Sequence, residues 1–509
     1  LGKELVATSF YERLGINDAL MHLTPKEQAL AEASICARLI APGSDLKTHR
    51  YLRDSSALTE LIAATRGIDV SSVGKDAIYE IADLIYEHKE SIEAHLQRST
   101  KRLYPGGRLL LFDLTNVYLE GRALGNELAA YGHSKEKRND CTLISLALLV
   151  DDRGFPIYSH IYGGNQSEPA TLAAVLDTIA ARSKGTLFQG DHPLVVMDRG
   201  LATSANLALL RERHFRYLVI QRGDRAQVHL EAFRAEMDTF TPIDKSNDTQ
   251  VWVKTLPSTN DNPETTQSTA SVTEIAVISL TRAAKERSIN EGRTKRYLAD
   301  LDRLRLAIEA QTYKVPKTIE RRIGRLANKH RQVANDYEVS VVTDANGKPS
   351  SLTYELKPEA RDSTEALYGA YVIETNQEGL THREIWHLYM TLTKVEEAFR
   401  ALKSDLGLRS IYHQLAQRTC AHLFLSVLAY HLYGAIAYEL STKGDTRRPS
   451  TIFERLATQV RATVTVTDKD KKVHHIRVST TPDTKQRQIF ELLQISDPLP
   501  KRAKVVATL

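Results

Sequence analysis

Three acidic residues stand where an acid is costly, and together they have the makings of a metal-dependent site. Asp113 interrupts the apolar run Leu110-Leu111-Phe112-Asp113-Leu114. Strand alternation puts it on the face opposite Phe112, and an acid in such a strand requires a cation or a hydrogen-bond network. Asp198 directly follows Pro193-Leu194-Val195-Val196-Met197, the carboxyl end of a short buried strand, where sites of α/β sheets gather. Glu396 lies in the segment 385–406, in which Ile385, Leu388, Leu392, Val395, Phe399, Leu402 and Leu406 recur at alternating steps of three and four. That is one buried stripe of a long helix. Tyr389, Thr393, Glu396, Arg400 and Lys403 form a second stripe about 100° away, which places Glu396 at the core margin and turns Glu397 to water. Two strand aspartates and a helix-edge glutamate can converge on a pair of divalent cations, the arrangement that activates an attacking oxygen and stabilises a leaving one in phosphoryl transfer. Oxygen-only ligands favour Mg2+ or Mn2+ over zinc, and Arg400 and Lys403 would then hold phosphates. Each residue also has a plainer reading. Asp113 is then a satisfied structural acid, Asp198-Arg199-Gly200 a turn, and Glu396 with Arg400 an i,i+4 surface ion pair.

The elements that must position these residues read as follows. Residues 1–104 are mostly helical, with amphipathic stretches at 25–40 and 75–103. After Pro105-Gly106-Gly107, three strands (108–119, 142–150 and 155–162) form an antiparallel meander, its second turn at Asp151-Asp152-Arg153-Gly154. A helix from Ser167 to about Arg182, the strand before Asp198, a helix at 204–214 and a strand at 215–221 complete a sheet of mixed direction. The alternation is lost from about Gly223. Residues 224–367 hold strand-like pieces such as 250–256, a polar loop at 258–269, a basic helical stretch broken at Pro316, and alternating strands at 337–357. A buried strand at 369–375 precedes the Glu396 helix, and the apolar helix 413–440 packs on the core. The sequence divides into 1–104 (helical), 105–223 and 368–440 (the two parts of the α/β sheet region that holds the three acids), 224–367 (the stretch between them) and 441–509 (basic, with an alternating strand near 462–479).

Net charge is only +5, but residues 281–336 carry 15 Lys/Arg against 7 Asp/Glu, and residues 441–509 carry 14 against 7. Two basic regions on a nearly neutral chain suit a polyanion, nucleic acid first. The three cysteines are far apart and fit a reducing compartment. No Cys/His spacing resembles a zinc site, no apolar run approaches membrane-spanning length, and no secretory leader opens the chain. An Asp-x-Asp phosphatase is excluded because position 115 is Thr.

The chain resembles bacterial insertion-sequence transposases of the DDE type, with a ribonuclease-H-like catalytic fold. Asp113 stands in Phe-Asp-Leu-Thr-Asn, Asp198 in Val-Met-Asp-Arg-Gly-Leu, and Glu396 in a Tyr-x2-Arg-x3-Glu-x6-Lys signature carried by Tyr389, Glu396 and Lys403. The signature's arginine position is Leu392, a departure that leaves Lys394 or Arg400 to supply the phosphate contact. The blocks 131–140 and 163–168 also match the family's text. The resemblance implies an α/β, ribonuclease-H-like mixed sheet interrupted by an inserted β-rich and helical domain, which accounts for the 198 residues between Asp198 and Glu396. It further implies two Mg2+ or Mn2+ per site on Asp113, Asp198 and Glu396. DNA contacts are expected from Tyr389, Lys394, Arg400, Lys403, His133 and Lys135, and Trp252 is a candidate to stack on a flipped base, against a plain core role. The expected partners are double-stranded DNA (element ends and target) and a second copy on DNA, in the bacterial cytoplasm at the nucleoid, with no membrane. A nuclease of the same fold without strand transfer, and a catalytically silent DNA-binding descendant, are the competing functions.

Overall fold

A computed structural model describes residues 1–104, 109–132, 140–183, 193–243, 251–257, 272–345, 347–408, 411–469 and 472–508. Two compact units divide the chain: Leu1–Phe215 together with Met390–Leu509, and Arg216–Tyr389.

The first unit opens with seven helices: α1 (Gly2–Arg13), α2 (Ile16–Ala19), α3 (Pro25–Ile40), α4 (Asp45–Asp54), α5 (Leu58–Arg66), α6 (Lys75–Glu87) and α7 (Lys89–Leu103). Helix α3 is started by a capping box in which Thr24 and Glu27 satisfy each other's backbone N–H, with Pro25 in the first turn. Strands β1 (Leu109–Tyr118), β2 (Leu143–Asp151) and β3 (Pro156–Gly163) form the expected antiparallel meander, and β4 (Leu194–Met197) lies parallel to β1, giving the order β3-β2-β1-β4. Helices α8 (Leu172–Ser183) and α9 (Ser204–Glu212) flank β4 in sequence. The meander's second turn is locked by Asp151, whose carboxylate accepts from the N–H groups of Arg153 and Phe155 at 3.0 Å each. The Arg153 guanidinium pairs with the same carboxylate and donates to the carbonyls of Thr100 and Tyr104, so the hairpin is tied to α7. Gly164 is required by close approach: a Cβ there would meet the carbonyl oxygens of Leu143 at 2.0 Å and Ala130 at 2.5 Å.

The second unit is built on a wholly antiparallel five-stranded arrangement, β5-β11-β8-β7-β6, from β5 (Arg216–Ile220), β6 (Thr241–Ile243), β7 (Val251–Thr255), β8 (Thr273–Ser279) and, later in the chain, β11 (Ala370–Thr375). Short helices α10 (Gly223–Val228) and α11 (Leu230–Arg234) cover a core containing Phe233, Phe240, Ala276 and Val372. A second core joins α12 (Leu280–Glu309), α13 (Pro316–Lys329) and the hairpin β9 (Tyr337–Thr343)–β10 (Pro349–Leu356). Pro316 opens α13, where its missing N–H costs nothing. Helices α14 (Pro358–Ala366) and α15 (His382–Met390) complete this part of the chain. The unit starts earlier and ends later than 224–367, because β5 and β11 hydrogen-bond to each other and β11 also pairs with β8.

Back in the first unit, α16 (Thr393–Arg400) runs into a π-helical turn, Ala401–Asp405, and α17 (Ala416–Thr442) follows. Helix α17 is long and apolar enough to cross a membrane, contrary to the expectation that no run approached that length, but its most apolar stretch is 89% buried. It packs on α3, α6 and β3, so it is apolar on every side because protein surrounds it. Beyond α18 (Pro449–Leu456), the single strand expected near 462–479 is a hairpin, β12 (Arg461–Thr467) and β13 (Lys472–Ser479). Across α19 (Thr484–Leu493), β14 (Arg502–Thr508) extends it to three strands. The molecule is thus α/β, with a mixed sheet in the first unit and a β-rich and helical second unit inserted in the chain between Phe215 and Met390.

Two imidazoles in α17 are buried, His422 and His431, and burial holds their pKa values down, to about 4 and about 3. Both are neutral in the folded protein at pH 7 and gain protons on unfolding once the pH drops below about 6.5. Their contribution to stability is complete above that pH and is lost as pH falls toward their folded values. His431 Nδ1 also has no hydrogen-bond partner among the described residues. The thermal midpoint is therefore expected to fall between pH 7 and pH 4.5, and to fall less in His431→Leu, which should be no less stable than the parent at pH 7. Equal acid sensitivity in parent and variant, measured by calorimetry, would contradict this.

Candidate active site

Two of the three acids are brought together by strand register. Strands β1 and β4 pair in parallel from Leu109 with Leu194 to Phe112 with Met197. Asp113 and Asp198 are the residues directly after the last pair of that register. Asp113 is half-buried and its Oδ1 accepts from the following N–H, that of Leu114, at 2.7 Å. Asp198 is exposed. Its carbonyl closes the turn to Leu201 at 3.0 Å, so the turn reading holds for its backbone. Its carboxylate makes no hydrogen bond or ion pair with any described residue.

The third acid arrives on α16, which packs on β1 and β2. Val395, Ala398, Phe399 and Leu402 are the buried stripe of this segment. Glu396 is exposed, not at the core edge as its spacing suggested, and Glu397 is exposed on the far side. The two glutamates are nevertheless distinct. Glu397 is held by Lys394 at 3.2 Å, whereas the Glu396 carboxylate has no partner among the described residues. The i,i+4 pair with Arg400 does not form, and Arg400 too is exposed and without a partner among the described residues.

The segment 385–406 is not one helix. It breaks at Thr391-Leu392, between α15 and α16. The Thr393 hydroxyl donates to the Met390 carbonyl at 2.8 Å, and the N–H groups of Lys394 and Val395 bond three residues back, to Thr391 and Leu392. Hydroxyls of this kind compete with the helical ladder. The π turn then widens the helix where Lys403 sits, with the Leu406 N–H bonding to the Ala401 carbonyl at 2.9 Å and Tyr433 donating to Asp405 at 2.6 Å. Such turns are frequent at functional sites. Tyr389 falls in the second unit, its half-buried ring 6.2 Å from that of Tyr371. Trp252, on β7 of the same unit, is half-buried against the core of Phe233 and Phe240. His133 and Lys135 lie outside the described residues.

The donor chemistry suits a hard divalent cation: three carboxylates and no His or Cys among them. Elsewhere in the protein buried acids are saturated. Glu274 takes Arg225 at 2.7 Å and His229 at 3.0 Å, and Glu374 accepts from Tyr217 at 2.5 Å and from Gln221. Asp198 and Glu396, by contrast, keep their oxygens available. The three acids stand too far apart to meet on one centre with all ligand atoms within 4.8 Å.

The described donors that do lie that close are Asp45, His413 and His422, a group sequence reading missed. Arg38 sits among them, 1% exposed, donating to Asp45 Oδ1 at 2.8 Å and lying 3.2 Å from each nitrogen of the His422 ring. His413 Nε2 is 3.0 Å from Asp45 Oδ2. Burial alone would raise the Asp45 pKa, but hydrogen bonds from His413 and His422, and then the nearby charges, hold it far below the carboxylate range. A buried guanidinium facing the same imidazole repels a metal ion, so the cluster is a polar clamp joining α3, α4 and α17. The one hint in the sequence is Arg38 itself, an arginine inside Ile35-Cys36-Ala37-Arg38-Leu39-Ile40, which needs a buried carboxylate.

The family model described as Transposase DDE domain matches residues 104–432, more than half of the chain and a span enclosing all three acids. No curated protein sequence matches. A solved structure, the cryo-EM structure of the piggyBac transposase synaptic complex with hairpin DNA, is similar over 89% of this chain and 79% of that one, with 8% sequence identity and a TM-score of 0.37. That likeness is too distant to transfer any residue or contact.

Asp45→Ala strands the Arg38 charge and is expected to cost about 3–5 kcal/mol in denaturant unfolding, while Zn2+ leaves the thermal midpoint of the unmutated protein unchanged. A Zn2+-induced rise that Asp45→Ala abolishes would make the cluster a metal site instead.

Proposed function

Because the chain belongs to the Transposase DDE domain family, we propose that it is the transposase of a bacterial insertion sequence, binding the inverted repeats at the ends of its own element and moving it by cutting and rejoining phosphodiester bonds. What supports this reading is the parallel pairing of β1 with β4 up to Phe112 and Met197, the residues directly before Asp113 and Asp198, inside the matched span. Glu396, without a partner among the described residues, is the third acid.

Members of this family use divalent metal ions, and we assign two Mg2+ or Mn2+ to Asp113, Asp198 and Glu396. When bound, these ions supply Lewis-acid stabilisation of the attacking and leaving oxygens. The protein's own part is positional. Strands β1 and β4 hold two carboxylates on a rigid sheet, and α16 adds the third from a helix seated on that sheet. Arg400 and Lys403 follow Glu396 by one and two turns and provide cations for the phosphates flanking the scissile bond. With Leu392 at the signature's arginine position, Arg400 is the better substitute, since Lys394 is engaged by Glu397. Hydrolysis at the element end comes first, and attack of the freed 3′-hydroxyl on target DNA second. A dimer on DNA pairs the two ends.

The test uses duplexes carrying the element's ends and a target plasmid, with Mg2+ or Mn2+. The unmutated protein should cut and join. Asp113→Asn, Asp198→Asn and Glu396→Gln should each lose at least about 100-fold in rate, the scale of removing one electrostatic contact to the transition state, whereas Glu397→Gln should stay within a few-fold of the parent. Nicks without joined products would reduce the protein to a nuclease. Binding with no cleavage by the unmutated chain would make it a silent descendant, and loss at Glu397 rather than Glu396 would overturn the assignment of the third acid.

A further inference from the structure

The second unit carries none of the three acids, yet one of its cavities is lined by strongly unbalanced charge. Between α12 and the end of α13 lies an open trough of about 500 Å³ lined by Arg293, Arg296, Asp300, Arg303, Lys329 and His330. Four full positive charges face one negative. A second cavity, on α12 and the elements beside it, is balanced, with Arg287, Lys295 and Arg361 against Glu291, Asp336 and Glu365. The excess is thus specific to one side of α12 and is more than the general basicity of residues 281–336.

The trough's cations are held rigidly. Tyr297, Leu301, Leu304 and Ile308 form the buried stripe of α12 and lock it against α13 and β10. Arg296, Asp300 and Arg303 each precede a residue of that stripe by one position, and Arg293 lies one turn before Arg296, so all four follow one line along the helix margin. Asp300 organises the group, with Lys329 at 2.7 Å, His330 at 2.8 Å and Arg303 at 2.7 Å. Hydrogen bonds from Lys329 and His330 hold its pKa down at about 2, so it stays ionised and keeps these cations in place. Arg293 has no partner among the described residues, and Arg296 is exposed, bonded only to the Gly292 carbonyl at 3.0 Å.

From Arg293 to Arg303 the line runs about 15 Å at 1.5 Å per residue, roughly the rise of four nucleotides along one DNA strand. The trough is open, and His330 carries the one ring among its lining residues, so it lacks the aromatic platforms with which proteins grip single strands. We propose that this trough is a second nucleic-acid site, one that binds the phosphate backbone of duplex DNA without reading its bases. The inference rests on the reading that the protein works on DNA, and adds to it a grip in the inserted unit that is separable from cleavage.

The full chain is titrated with a duplex of arbitrary sequence, in EDTA so that no cleavage intervenes, across a range of salt concentrations. Each phosphate neutralised contributes about 0.9 to the slope of log affinity against log salt. The triple variant Arg293→Ala, Arg296→Ala, Lys329→Ala should therefore bind with a slope shallower by about 2–3, while Arg287→Ala, in the balanced cavity, should match the parent. Circular dichroism and the thermal midpoint verify that each variant is folded. An unchanged slope in the folded triple variant, an equal loss in Arg287→Ala, tighter binding to a single strand than to duplex, or no duplex binding by the unmutated chain would each overturn the site. A chain that shows the expected slopes but never cuts DNA would refute the catalytic reading and leave the trough standing.

Discussion

Strand β4 is only four residues long, and its parallel pairing with β1 governs the site. Parallel register sets equivalent residues side by side with their side chains on one face, so an acid just past the pairing on β4 faces the same way as the acid on β1. Two carboxylates brought close to each other repel. The sheet can hold them there because β1 and β2 are buried along most of their lengths and cannot shift register without exposing an apolar face. A cation relieves the repulsion.

How much of this could be read from sequence follows from what each residue's signal depends on. Asp113 and Asp198 were legible because an acid at or beside a strand of Leu, Val and Phe contradicts its surroundings. The meander, the turn at Asp151–Gly154 and the break in the helical stretch at Pro316 were legible for local reasons, namely apolar runs, turn residues and proline. The Glu396 helix was legible in its buried stripe but not in its continuity. A three-four periodicity does not register a break at Thr391-Leu392 or a π turn at Ala401–Asp405, because Ile385, Leu392, Val395, Phe399 and Leu402 are each buried all the same. Glu396 was distinguished from Glu397 by angle, and in the structure the difference shows in partnership: Lys394 occupies Glu397 and leaves Glu396 alone. Arg38 with Asp45, His413 and His422 was invisible because its members come from three distant parts of the chain, and only the fold puts them in one place. The length of α17 misled in another way: its sequence could serve a membrane, and its burial comes entirely from its neighbours.

The inserted unit shows the same economy on a different scale. It has its own sheet, its own two cores and its own saturated carboxylates, and its basic residues fall along the margin of a helix whose other side is buried. The helix core therefore fixes the spacing of its surface charge, just as the core of the first unit fixes the spacing of its acids.

The insertion also has a consequence in time. It interrupts the first unit between Phe215 and Met390, so 198 residues separate Asp198 from Glu396. At roughly 5–20 residues per second of synthesis, the ribosome takes on the order of 10–40 s to pass from the second acid to the third. Throughout that interval the nascent chain has β1 to β4 but neither α16 nor the buried helix α17 that packs on α3 and α6. A chain that stops anywhere in that interval therefore carries both aspartates without Glu396.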